Sequence, residues 1–232
     1  MINWDELKHF HAVRKLEGIL SQWFHTDLLF VDESGEIRNL DYNGKLKEFR
    51  NPFAHALLTR DKGREFFLKS IAELSDKIAQ DPKARHTVPG PLGFEQLHIS
   101  NVFLDGDFSG FVLGYCYIES IPNIEQKAVA KRFFEEHGLD PDALEFAFSK
   151  LKPLNVNDKK YYSELIDLVA QEVVTFHAEI SKREDRISEL NNQLGERYSY
   201  DQMIGKSKPM QEIYALLDKI KNSSSKGAAW FI

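Results

Sequence analysis

Cysteine is nearly missing from this sequence: Cys116 is the only one in 232 residues. A single thiol closes no intrachain disulfide and rules out a cysteine-rich zinc site, so the composition fits a reducing compartment and points to the cytoplasm. Long apolar runs are missing too. None approaches the roughly 20 residues that cross a bilayer. The opening MINWDELKHF has neither the basic segment nor the apolar core of a secretory signal. Positive charge is in deficit, with 30 Lys and Arg against 36 Asp and Glu and a formal net charge of -6. Such a chain lacks the basic footprint of a nucleic-acid binder, and any DNA contact must come from another domain.

Metal-ligand spacing is equally scarce. Eight histidines stand at positions 9, 11, 25, 55, 86, 98, 137 and 177. His9 and His11 point to different faces of a helix, whereas two ligands on one helix need a separation of three or four. Neither GxSxG nor GxGxxG occurs, and no pair of carboxylates has a recognisable acid-base spacing, so catalysis has no support in the first 200 residues. Asp105 and Asp107 flank Gly106 and read as turn formers. Cys116, between Tyr115 and Tyr117 in an apolar strand, reads as a small buried hydrophobe. No catalytic, metal or cofactor residue is assigned.

What is present is apolar and patterned. The hydrophobic share is 42% and Phe alone supplies 17 residues, enough for a real core. Asn3 with Glu6 resembles a capping box, and Leu7, Phe10, Val13, Leu16, Leu20, Trp23 and Phe24 follow at helical spacing, predicting one helix over 4–24. LLFVD, the turn at Glu33-Ser34-Gly35 and EIRNL predict a hairpin. Two helices are expected between Lys45 and Gln80, with Pro52 near the start of the first, and a loop over 81–93. QLHISNVF, Asp105-Gly106-Asp107 and FSGFVLGYCYIES predict a second hairpin, and 123–151 two helices parted near His137-Gly138. The fold class is α+β: an antiparallel sheet with helices to one side, followed by a long coiled-coil helix.

Around the second hairpin His98, Phe103, Phe111 and Tyr115 could line a sensor pocket; a solid core suits each aromatic equally, and a hydrogen-bonded core histidine suits His98 better than a ligand or haem contact. Further on, Tyr162, Ile166, Val169, Val173, Phe176, Ile180, Ile187, Leu190 and Leu194 recur every four and three residues, interrupted by Arg183. This period of about 3.5 is the seam of a paired helix, predicting a homodimer through residues 156–199. The competing explanation is a helix packed on its own domain. The wider apolar face upstream suits packing on both the sensor and a partner.

The DESGE turn, the FxGFVxGY-like strand and the helix leading into a coil resemble the PAS, GAF and PocR-type sensory domains of bacterial regulators, over residues 1–155. After the coil, YDQMIGKSKPMQEIYALLDKI and the strand-like end AAWFI resemble the opening of the AAA+ ATPase domain of sigma-54-dependent transcriptional activators, with Ile204, Gly205 and Ser207 in its first motif. That resemblance implies an incomplete ATPase start over 200–232, lacking the GxxGxGK loop that holds nucleotide phosphates, so this chain is expected not to be an enzyme. ATP and Mg belong to the full-length protein, as do sigma-54 RNA polymerase and DNA, through further domains. A small-molecule effector is implied but not identified. The alternatives are the input module of a histidine kinase or cyclic-dinucleotide enzyme, or a ligand-free dimerisation scaffold.

Overall fold

The Asp105-Gly106 turn closes as predicted. Both residues have positive φ, 53° and 94°, the geometry of a two-residue hairpin turn that matches strand twist and that glycine adopts freely. The computed structural model of the chain describes residues 2, 4–7, 10–39, 49–58, 60–81, 87–150, 152–197, 212–213, 215–216 and 219. Two units are present, Met1–Ala178 and Glu179–Ile232.

In the first unit the turn joins β3 (Glu95–Leu104) to β4 (Asp107–Ile118). With β1 (Asp27–Asp32) and β2 (Thr87–Pro89) they form a four-stranded antiparallel sheet in the order β1-β4-β3-β2. β2 falls inside the expected loop. It is three residues long and ends in Pro89, features that blunt a sheet edge.

The other edge is blunted differently. The expected partner of β1, EIRNL, shrinks to a bridge between Val31 and Ile37, with Arg38 N–H donating to the Phe30 carbonyl. The next ladder position is taken by a side chain: Asn39 accepts from Phe30 N–H at 3.0 Å and donates to the Leu28 carbonyl at 2.8 Å. An amide side chain that satisfies the strand locally ends the pairing. Leu40 lies outside the described residues.

Helices cover both faces of the sheet, not one. Alternate residues of β1 divide between two cores: Leu29 and Val31 join one, Leu28 and Phe30 the other. The first core is roofed by α3 (Pro52–Leu58), α4 (Asp61–Gln80), α5 (Ile124–Glu136) and α6 (Pro141–Lys150), through Phe53, Phe67, Phe134 and Leu144. The second is roofed by α1 (Trp4–Leu7), α2 (His11–Phe24) and α7 (Val156–Arg197), through Trp4, Leu7, Leu20, Tyr162 and Ile166. Strand β4 is buried continuously from Gly110 to Ile118, and its near-unbroken apolar run follows from cover on both sides.

The helix expected over 4–24 is broken. Phe10 is extended (φ -76°, ψ 117°), and its ring packs 4.6 Å from that of Phe176 on α7. Asn3 of the expected capping box is outside the described residues; a complete capping box occurs at Asn123 and Gln126, opening α5. Pro52 occupies the first position of α3, where its missing N–H costs nothing. The 123–151 region is two helices, as expected.

The compact unit extends past Asn155 through Ala178 because the first half of α7 is core. Tyr162, Ile166, Val169 and Val173 are each at most 1% exposed. In the second unit, Glu212, Ile213, Ala215, Leu216 and Lys219 are helical.

Candidate functional site

Gly114, in the middle of β4, is where α7 meets the sheet. A Cβ at this position would run into Ile166 Cδ1 and the Tyr162 hydroxyl, so only hydrogen lets the helix approach so closely. Tyr162 then fills the notch, ringed by Phe24, Tyr117 and His98 at centroid distances of 5.5, 5.1 and 6.2 Å. Its hydroxyl lies 3.1 Å from Thr26 Oγ1, which is 3.4 Å from the Cys116 carbonyl. Thr26 has one hydroxyl proton; directed at that carbonyl, it leaves Tyr162 O–H as donor to Thr26. Burial pushes the Tyr162 phenol far above its ordinary range, opposed by the Thr26 hydrogen bond, so it stays a neutral donor.

Behind this contact is a polar hub that the sequence reading did not single out. Asn51, fully buried, donates to the His25 and Cys116 carbonyls at 3.1 and 3.0 Å and accepts from Phe53 and Ala54 N–H at 2.9 and 3.1 Å. Two donors and two acceptor positions are thus all used. Asp27 accepts from the N–H groups of Arg50 and Asn51. Asn51 therefore fastens the end of α2, the end of β4 and the start of α3 to one point. The signal in the sequence was Asn51-Pro52, an N-cap followed by proline at the first helical position.

The proposed pocket residues do not converge. Phe111 and Tyr115 lie in the α3–α6 core, Tyr115 edge-on to Phe67 at 5.1 Å. Phe103 pairs with Phe108 at 6.1 Å beside the hairpin turn. His98 faces the other way, with Nδ1 3.4 Å from Thr87 Oγ1 and Nε2 3.4 Å from Asp167 Oδ1. It is a hydrogen-bonded core histidine. Cys116 is buried, and burial, with the nearby Glu95 carboxylate, pushes its thiol well above the ordinary range, which keeps it protonated and inert.

The seam residues divide into two sets. Tyr162, Ile166, Val169 and Val173 are buried against the sheet of their own chain. Each such side chain contributes roughly 1.5–3 kcal/mol to that core, so a partner could use them only by opening it. Phe176 is partly buried against the same core. In the second unit Ile180 is half-buried, whereas Ile187 and Leu190 are 57% and 43% exposed. Arg183 lies 3.5 Å from Glu179 one turn away. The side chain of Leu194, and Ile204, Gly205 and Ser207, lie outside the described residues.

Two adjoining grooves of about 620 and 460 Å³ run along α2 and share Gly18, Ser21 and Arg50. Among the described residues no three His, Cys, Asp or Glu side chains are grouped to hold a metal, and no helix is long and apolar enough to cross a membrane. No protein-family model matches the chain and no curated protein matches it.

Proposed function

We propose that the chain is the signal-sensing, dimerising regulatory region of a sigma-54-dependent transcriptional activator, controlling assembly of an AAA+ ATPase. One observation carries this reading. A single heptad seam runs along one helix, and its first half is core of the α+β unit while Ile187 and Leu190 in its second half are uncovered. A helix rooted in one domain and apolar beyond it suits transmission: a change in the sheet alters the helix that a second copy would pair with. The IGKS segment and the apolar helix after it favour an ATPase output over a kinase or cyclic-dinucleotide enzyme. A PAS-, GAF- or PocR-like sensor is supported by the antiparallel sheet with helices inserted between its strands. In this reading the protein is cytoplasmic and meets sigma-54 RNA polymerase and DNA through further domains.

Sedimentation of the whole chain tests the central step. The expected result is a dimer that Leu190→Asp converts to a monomer without changing the melting of the α+β unit, and that Arg183→Leu tightens by removing a charge from the seam. A whole chain that sediments as a monomer at tens of micromolar would sink the transmission reading. Coding sequence downstream of Ile232 tests the family: a GxxGxGK loop followed by GAFTGA supports it, and another output domain overturns it.

A further inference from the structure

The grooves along α2 are built differently from the rest of this acidic protein. Arg14, Gly18, Ser21 and His25 follow one another at four, three and four residues, and so share one face of the helix and its end. All four line the grooves, with Lys15, Gln22 and Arg50. Gly18 has no packing reason to be glycine: a Cβ there would meet nothing within 4 Å. Glycine inside a helix is unfavourable, and here it leaves a notch between cationic side chains. Arg50 is held over that notch, Nη1 donating to Ser21 Oγ at 2.9 Å. Of the two acidic lining residues, Asp27 has both oxygens engaged by the N–H groups of Arg50 and Asn51, and Glu17 lines the smaller groove only. No Phe, Tyr or Trp side chain is among the described lining residues, so charge dominates what the grooves offer a ligand.

We propose that this notch binds a small non-aromatic polyanion, a sugar phosphate or a di- or tricarboxylate, with Arg14, Lys15 and Arg50 meeting its charge. Guanidinium groups match the planar oxygen pairs of carboxylates and phosphates, and the volume accommodates a metabolite. The site also has a route to α7. Thr26, a lining residue, accepts from Tyr162, and Asp27 next to it holds the Arg50-Asn51 backbone. A ligand drawing on Arg50 therefore acts two hydrogen bonds and one peptide link away from the helix. That such binding is the regulatory signal rests on the function proposed above; the binding site itself does not.

Calorimetric titration of the whole chain with citrate and with fructose 1,6-bisphosphate, at matched ionic strength and with adenosine as control, tests the site. The expected result is saturable binding of at least one polyanion and none of adenosine, weakened at least tenfold by Arg14→Ala and abolished by Gly18→Leu. Gly18→Leu fills open space and favours the helix, so its melting temperature should be unchanged or raised, which separates loss of the site from loss of the fold. No saturable binding of either polyanion, or binding indifferent to both substitutions, overturns the proposal. A monomeric chain that binds would keep the site and sink the regulatory reading; a dimer that binds neither polyanion would do the reverse.

Discussion

The Tyr162 hydroxyl on α7 and the Thr26 hydroxyl just before β1 are 3.1 Å apart in a fully buried setting, although 136 residues separate them in sequence. This contact pins the helix to the sheet beside the Gly114 notch.

Tyr162→Phe keeps the ring and deletes the donor. Thr26 still has the Cys116 carbonyl, so the loss should be near the net value of one hydrogen bond, about 1 kcal/mol. Urea denaturation should show the midpoint falling with an unchanged slope; a stability equal to the parent would mean that the hydroxyl contributes nothing.

Gly114→Val tests the notch. The added carbons collide with Ile166 and Tyr162, and overpacking of this kind costs about 1–3 kcal/mol. Amide exchange within α7 between Tyr162 and Val173 should accelerate more than exchange in α4, which packs on the opposite face. Uniform acceleration across both helices would argue against a local joint.

Asp32 governs acid sensitivity at the DESGE turn. Burial alone would raise its carboxyl, but hydrogen bonds from the Ser34 hydroxyl and Glu36 N–H, with Arg38 at 2.6 Å, hold it below its ordinary value. A lowered folded-state value means stability that is present above the unfolded carboxyl's value, near 3.9, and lost as pH falls through the folded one. Asp32→Asn should cost about 1–2 kcal/mol at pH 7 and flatten the loss of stability between pH 5 and 3. Parallel pH profiles for parent and variant would show that other carboxyls set the acid limit.

Cys116 should not react with a thiol reagent in the folded protein, because the thiol is buried and held protonated. Labelling should appear only with unfolding and follow its urea dependence. Rapid native labelling would place the thiol in an accessible state.

Several elements were legible because their information is local. Asp105-Gly106 carries its own turn chemistry, Pro141 starts α6, and the apolar run of β4 announces a strand, although not that helices cover both of its faces. Other readings failed where a distant residue intervened. Nothing near Phe10 reveals that Phe176 receives its ring and breaks the helix, and EIRNL alternates like a strand although the Asn39 side chain closes the ladder first. The grooves needed α2 and Arg50 brought together, Ser21 and Arg50 being 29 residues apart, which no motif spacing encodes.

By itself the sequence determined the class of fold, the second hairpin and the existence of a long helix with one apolar seam, since turn chemistry and hydrophobic period are properties of neighbouring residues. Only the tertiary structure decided what that seam touches. A row of apolar side chains repeating every 3.5 residues fits the face of a sheet as well as the face of a second helix. Burial of Tyr162 through Val173 against β4, made possible by a missing side chain at Gly114, assigns the first half of the row to the chain's own core.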